Sequence, residues 1–329
     1  MRPVETLKVL APGPLTTVQD RGRFGFERYG VPPTGAVDAF SLRVGNLLVG
    51  NSEDEACLEI TFMGPRLMAL RDTAIAITGA DLQPKVNEIP LKMWRSHLME
   101  KGDTLSFKGP RSGCRAYLAI GGGISVPVIM GSKSTNLAAR FGGIEGRPLR
   151  KGDIISSDSP ARHLKTVGRS LDKAHQILPT YAKDQVLRVI SGPQADHFSP
   201  TTTEIFLDAG FTVTPESDRA GIRLAGPRIE AEKGLKESII SEGVVPGAIQ
   251  IPGDAQPIII LGETVTGGYR KIATVISVDL PLLGQLKPGD RVHFVEVSME
   301  EAVASFRKVE KRIERFKEEA ADPSGVVTM

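Results

Sequence analysis

Gln19-Asp20-Arg21-Gly22-Arg23-Phe24-Gly25, followed by Gly30-Val31-Pro32-Pro33-Thr34-Gly35-Ala36-Val37, has a degraded echo later in the chain. There Ser217-Asp218-Arg219-Ala220-Gly221-Ile222-Arg223 is followed by Gly243-Val244-Val245-Pro246-Gly247-Ala248-Ile249. An Asp-Arg pair among glycines, then a Gly-Val-Pro turn and a Gly-Ala step, predicts an internal duplication. Other segments agree. Leu7-Lys8-Val9-Leu10 runs into Gly13-Pro14 as Leu187-Arg188-Val189-Ile190 runs into Gly192-Pro193. Thr78-Gly79 returns as Thr266-Gly267, and Gly102-Asp103-Thr104-Leu105-Ser106-Phe107 as Gly289-Asp290-Arg291-Val292-His293-Phe294. The offsets differ from pair to pair, so loops were gained before the turn and lost after it.

At 329 residues the chain is long for one core and fits two lobes of about 150 residues each. Apolar content of 40% with 24% charge describes a soluble globular chain. With 35 glycines, 23 prolines and 5% aromatics, many short strands joined by tight turns are expected, hence a mainly β fold. A net charge of +2 gives no reason to expect nucleic acid. Cys57 and Cys114 make neither a disulfide framework nor a zinc site, and His97, His163, His175, His197 and His293 lack metal-ligand spacing. No metal is expected. No run approaches about 18 apolar residues and no signal-peptide pattern opens the chain. The expected location is the cytoplasm, with no membrane partner.

Strand-like runs at Ala74–Ile77, Tyr117–Ile120, Val186–Ile190, Ile258–Leu261, Ile272–Val278 and Val292–Val297 are rich in β-branched residues. Lys-Gly-Asp at 101–103 and 151–153, and Pro-Gly-Asp at 288–290, read as turns just before strands. Asp38 caps an expected short helix through about Leu48, stopped by Gly50-Asn51. Ala302, Phe306, Val309, Ile313 and Phe316 fall on one face of a helix from about Met299 to Ala321. That face either docks on the chain's own barrel or forms a partner seam. The expected organisation is a first β lobe over 1–165, a second over 185–298, and a helix with its tail over 299–329. Arg111 to about Lys165, rich in glycine, has no counterpart in the second half.

Gly131-Ser132-Lys133-Ser134-Thr135 resembles a phosphate loop, but Ser132 interrupts the Walker order. The alternatives are an anion or carbonyl contact by Lys133, Ser134 or Thr135, or a plain polar turn. Gly121-Gly122-Gly123 lacks dinucleotide-binding spacing. Leu91-Lys92-Met93 is better read as a surface strand or turn than as a biotin attachment site, and no Gly-x-Ser-x-Gly elbow is present. Each Asp-Arg pair admits two readings. In one, Asp accepts from backbone amides and Arg braces a loop. In the other, Arg21 or Arg219 offers its planar fork to a carboxylate or carbonyl. Gln250-Ile251-Pro252-Gly253-Asp254-Ala255-Gln256-Pro257 and Thr266-Gly267-Gly268-Tyr269-Arg270-Lys271 are polar loops able to line a cleft.

Together, Thr17–Arg23, Gly121–Ile124, Gly131–Thr135, Gly142–Leu149, Pro246–Pro252 and Thr266–Tyr269 resemble the allophanate hydrolase subunit 2 family, also called carboxyltransferase subdomains A and B, across about residues 7–298. The resemblance implies two cyclophilin-like β-barrel lobes with a C-terminal helix. It also implies the C subunit of an ATP-dependent 5-oxoprolinase-type complex, opening 5-oxoproline to glutamate beside a paralogous B subunit and a separate A subunit. ATP is a cofactor of that complex, with its binding subunit left open. One alternative is a biotin-dependent carboxyltransferase component acting on urea or a similar small amide. Another is a non-catalytic regulator resembling the antagonist of a sporulation kinase inhibitor.

Under the leading reading, Arg21 and Lys133 contact an anion or carbonyl, and Gln250 and Tyr269 orient the substrate. Asp20 and Asp218 hold the arginines, while Ser134, Thr135, Arg219, Gly267, Gly268 and Lys271 complete the substrate side. Segment 121–147 is expected to line the cleft, made cationic by Lys133, Arg140 and Arg147. The chain departs from the family pattern at Ala255, where glycine is usual, at Glu263-Thr264-Val265, and at Arg270, where proline is usual.

Overall fold

A computed structural model describes residues 3–171, 178–236 and 238–321. His175 and the expected tail from Asp322 lie outside them. The chain divides into two compact units: Met1–Phe24 with Thr34–Thr180 and Glu310–Met329, and Gly25–Pro33 with Tyr181–Val309.

In the first unit the strands are β1 (Val4–Ala11), β2 (Leu15–Gln19), β3 (Cys57–Thr61), β4 (Arg66–Ala69), β5 (Thr73–Asp81), β6 (Pro84–Val86), β7 (Ile89–Pro90), β8 (Ser96–Met99), β9 (Thr104–Phe107), β10 (Ser112–Ile120) and β11 (Ile154–Ser157). They form a six-stranded sheet ordered β11-β1-β4-β9-β6-β7 and a five-stranded sheet ordered β2-β3-β10-β5-β8. Strand β5 is buried from Thr73 to Ala80 and carries the apolar run Ala74–Ile77, because helix α1 (Ala39–Leu48) packs on it and on β10, leaving neither side to water. Leu7, Leu58, Ile60, Ile75 and Leu118 are fully buried in the common core. The α1 cap is as expected: Asp38 accepts from Ser41 N at 2.8 Å and Ser41 Oγ at 2.6 Å. The Asp38 amide in turn donates to the Tyr117 hydroxyl at 2.9 Å, tying the helix start to β10.

In the second unit the strands are β12 (Asp184–Ser191), β13 (Gly210–Val213), β14 (Gly221–Ala225), β15 (Glu242–Gly243), β16 (Ala248–Ile251), β17 (Ile258–Ile260), β18 (Thr266–Gly267), β19 (Arg270–Val275) and β20 (Arg291–Glu296). Seven close into a barrel ordered β12-β19-β16-β17-β14-β13-β20, and β15 pairs separately with β18. The parallel pairing of β12 with β20 joins the first and last strands of the unit and so closes the ring. In the first unit, β1 pairs antiparallel with β11 instead, and the strands divide between two sheets. Phe206, Phe211 and Phe294 fill the barrel's aromatic core, with Phe206 stacked on Phe294 at 4.6 Å between centroids. Phe206 comes from helix α2 (Pro200–Asp208), which strand-dominated reading of the sequence missed. Its signal was present: Ser199 caps Thr202 N at 3.1 Å and Pro200 occupies the first turn.

The expected Gly-Asp turns are one structure used three times. In each, the Asp side chain accepts from the amide three residues earlier: Glu100 N to Asp103 at 2.8 Å, Arg150 N to Asp153 at 2.7 Å, and Lys287 N to Asp290 at 3.1 Å. In each, the glycine amide donates to a strand residue whose own amide donates back to the Asp carbonyl: Ala69, Val9 and Val213 in turn. The pattern recurs in both units.

After the short helix α3 (Leu280–Leu283), helix α4 (Met299–Ala321) opens with a reciprocal cap: Glu301 N donates to Ser298 Oγ at 3.1 Å and Ser298 N to Glu301 Oε2 at 2.8 Å. Of the expected apolar stripe, Ile313 and Phe316 are buried, whereas Phe306 is 46% exposed. The residues from Glu310 onward belong to the first unit. There Arg43 of α1 grips Glu310 through two hydrogen bonds of 2.6 and 2.8 Å and Glu53 through a third of 2.8 Å. Burial alone would raise the Glu53 carboxyl, but the Arg43 hydrogen bond and charge, helped by Lys317, outweigh it and hold the carboxyl below its usual range. That contribution is therefore present above the ordinary carboxylate range and lost as pH falls through the folded-state value. Arg43→Ala should cost about 2 kcal/mol at pH 7, where two carboxylates lose their partner, and less in acid. Urea midpoints of both proteins from neutral pH downward check this, since the gap should narrow as Glu53 is protonated. No described helix is long and apolar enough to cross a membrane.

Candidate functional site

Strand β2 ends at Gln19 and delivers Asp20 to a buried position, 8% exposed. Its carboxylate accepts four hydrogen bonds: from Gly22 N at 2.8 Å, Ser132 Oγ at 2.6 Å, Ser134 Oγ at 2.5 Å and Lys133 N at 2.5 Å. Asp20 thus fills the place that a phosphate would take on the Gly131–Thr135 loop. The loop's serine hydroxyls and the Lys133 amide are spent on a carboxylate of the same chain, so they do not fit the phosphates of ATP. Thr135 is fully buried too, its hydroxyl donating to Val18 O at 3.0 Å.

The expectation that Asp20 holds Arg21 is corrected here. Arg21 lies at the surface, paired with Asp54 at 2.9 Å. The guanidinium beside Asp20 is that of Arg23, which is 1% exposed, lies 4.6 Å over the Phe141 ring and donates to the Ser134 carbonyl. Desolvation lowers the Arg23 pKa, and the Asp20 charge partly offsets that. Chain geometry explains the swap: once Asp20 turns inward and its side chain accepts from Gly22 N, the next residue points out and the third points back in.

Lys133 is likewise not a free surface cation. It is half-buried, and its ammonium pairs with Glu55 at 2.5 Å. Lys133→Glu would set two carboxylates together and destabilise the fold, so it does not isolate a binding role. Arg147 is held by Asp153 at 2.7 and 3.1 Å and by Glu145 at 3.0 Å. Within segment 121–147, Arg140 is exposed.

In the second unit the echo keeps only the turn. Asp218 accepts from Ala220 N at 2.8 Å, as Asp20 does from Gly22 N, and from Gly221 N at 3.1 Å. Buried Arg219 is paired with Glu263 at 2.6 Å. Glu263, one of the departures from the family pattern, is therefore the counter-charge of the second Asp-Arg pair.

Gln250, Gly267 and Lys271 meet in one cluster. Register sets Gln250 of β16 opposite Lys271 of β19. Both are 4% exposed. Lys271 Nζ donates to Glu242 of β15, Gln194 Nε2 reaches the same carboxylate at 2.7 Å, and the Lys271 amide donates to Gln194 Oε1 at 3.0 Å. The Lys271 and Gln194 hydrogen bonds hold the Glu242 carboxyl below its usual range. Against this, Gln250 Nε2 is a buried donor with no acceptor among the described residues. A Cβ at Gly267 would come within 2.1 Å of it, so a side chain there would push the amide from the place it occupies. An orphaned donor of this kind costs about 1–3 kcal/mol, which an incoming carbonyl oxygen would offset. Tyr269 is 40% exposed beside the cluster in sequence, and Gly268 accepts from Ile239 N at 2.8 Å. Arg270, the second departure, is buried and donates to Lys236 O and to His197 Nδ1 at 3.2 Å.

Sequence reading missed Gln194, Glu242, His197 and Glu55, because each reaches its partner across many residues and none sits in a motif. Among the described residues, no group of three or more His, Cys, Asp or Glu side chains is placed to hold a metal ion. The remaining departure, Ala255, sits at φ +58°, which an L side chain adopts at a cost. Ala255→Gly should raise stability by up to about 1 kcal/mol, the relief of strain outweighing the added freedom of the unfolded chain. A rise in the urea midpoint at unchanged slope checks it.

The chain matches the family described as carboxyltransferase domain, subdomain A and B, over residues 29–296. It is 34% identical over 312 residues to the 5-oxoprolinase C subunit of Escherichia coli (strain K12), covering 94% of this chain and 97% of that protein. It is 36% identical over 312 residues to urea amidolyase of Lachancea kluyveri, covering 90% of this chain and 17% of that longer protein. Among solved structures, Kluyveromyces lactis urea carboxylase superposes with a TM-score of 0.89 at 32% identity, covering 100% of this chain and 30% of that one. These matches span both units, and the chain therefore belongs to the carboxyltransferase domain, subdomain A and B, family.

Proposed function

We propose that this chain is the C subunit of a 5-oxoprolinase-type complex and that it contributes the Gln250–Lys271 cluster to lactam opening. The observation that carries the reading is the buried Gln250 Nε2, with no acceptor among the described residues, beside the buried Lys271. Opening 5-oxoproline adds water across the lactam C–N bond and leaves the amine and the new carboxylate of glutamate. The carbonyl oxygen gains negative charge as its carbon is attacked, and preorganised donors in a dry site favour that charge. Gln250 Nε2 supplies such a donor, and Lys271, balanced by Glu242, supplies positive charge next to it. Tyr269 and Gly268 border the cluster.

The other residues that the sequence singles out are proposed as its scaffold. Asp20, Ser134 and Thr135 fix the Gly131 loop, Asp218 and Arg219 fix the turn before β14, and Arg21 and Lys133 carry paired charge. ATP would act in the complex away from the Gly131–Thr135 loop, with a paralogous B subunit and a separate A subunit as partners. The urea amidolyase and urea carboxylase likenesses favour a second reading, carboxyl transfer from carboxybiotin to urea, whose substrate is also a small planar amide.

The purified chain alone should hydrolyse no ATP in response to 5-oxoproline. Adding the two partner proteins should yield glutamate, ADP and phosphate. Robust turnover without partners would overturn the assignment, as would urea carboxylation with a biotin carrier and no response to 5-oxoproline.

A further inference from the structure

The first unit holds an open cavity of 580 Å³ whose wall is built from the short helix Pro160–Thr166, the chain behind α1 and the end of α4. Its size is that of a small-molecule site. Arg162, Lys165, Arg169 and Lys317 line it, against two carboxylates, Glu53 and Asp54. Those carboxylates are already engaged from outside the lining: Glu53 by Arg43 at 2.8 Å and Asp54 by Arg21 at 2.9 Å. Lys317 shares Glu53 at a longer 3.5 Å. Arg162, Lys165 and Arg169 therefore have no carboxylate among the described residues.

Arg169 is the informative member. It is half-buried, and burial lowers its guanidinium pKa with no counter-charge among the described residues to offset the loss of water. His163 also lines the cavity, its ring fixed by the hydrogen bond between Nδ1 and Val49 O at 2.8 Å. A half-buried guanidinium beside two exposed cations, none with a carboxylate partner among the described residues, is complementary to a compact dianion, and a planar guanidinium fork suits phosphate oxygens in particular.

We propose that this cavity is a binding site for a phosphate group, borne by a small molecule or free in solution. It is independent of the lactam reading, because every residue in it lies in the first unit and the site requires no partner.

Calorimetric titration of the full chain with inorganic phosphate, with ADP and with 5-oxoproline tests it. Saturable binding of phosphate or ADP should appear, weakened on the order of tenfold in Arg169→Gln, with Arg162→Gln in the same direction. Tighter binding of ADP than of phosphate would assign the group to a nucleotide, and equal binding to the phosphate itself. Arg228→Gln, which removes a paired surface charge from the second unit, should leave binding unchanged. The Arg169→Gln melting temperature should not fall, since that side chain has no partner among the described residues to lose. No saturable phosphate or ADP binding at millimolar concentration would overturn the site, as would equal weakening by Arg228→Gln or binding of the 5-oxoproline carboxylate alone.

Discussion

Asp20→Ala should lower stability by about 3–5 kcal/mol, the range for removing one partner from a buried charged network. Four donors converge on that carboxylate. Removing it strands two serine hydroxyls and two amides in a site that water reaches poorly. It also strips Arg23 of the negative charge that offsets its desolvation. The urea midpoint should fall with little change in slope. Asp20→Asn, which keeps one acceptor oxygen, should fall between the two. Arg21→Ala is the matched control: its pair with Asp54 is exposed on both sides, so the change should stay within about 0.5 kcal/mol. A loss below about 1 kcal/mol for Asp20→Ala would mean that the loop does not depend on its internal carboxylate.

The second large effect separates function from fold. Gln250→Leu should reduce kcat/KM of the reconstituted complex by about a hundredfold, the lower end for removing one preorganised donor. The same change should leave stability unaltered or raise it by up to about 1 kcal/mol, because Nε2 has no hydrogen bond to lose and its unmet desolvation disappears. A purely structural glutamine would behave the opposite way, with destabilisation and normal turnover in the protein that remains folded. Unchanged kinetics in Gln250→Leu would remove the cluster from the reaction.

Local chemistry alone determined a good deal of this protein. Turn residues and β-branched runs placed the main strands, because backbone preference and alternation act over a few residues. The Gly-Asp turns were legible for the same reason: the carboxylate reaches an amide only three residues away. Asp38 marked the start of α1, and the four- and three-residue spacing of apolar side chains marked α4. The Asp-Arg echo was read as a sign of duplication, and in both copies the Asp accepts from the amide two residues on.

Tertiary structure decided what those pieces are for. It sent Asp20 to Ser132 and Ser134, more than a hundred positions away, and so turned a phosphate-like loop into an anion site filled by the chain's own carboxylate. It gave Arg21 to Asp54, Lys133 to Glu55 and Arg219 to Glu263, pairings set by which segments the fold brings together rather than by neighbours in sequence. Gln250 was a candidate from the resemblance, but its orphaned donor came to light only when β16 was laid against β19 with Gly267 against its amide. A sequence records which donors, acceptors and charges a chain carries. Whether each is satisfied, and which one is left buried and waiting for a partner, depends on long-range strand register and burial, and these exist only in the folded protein.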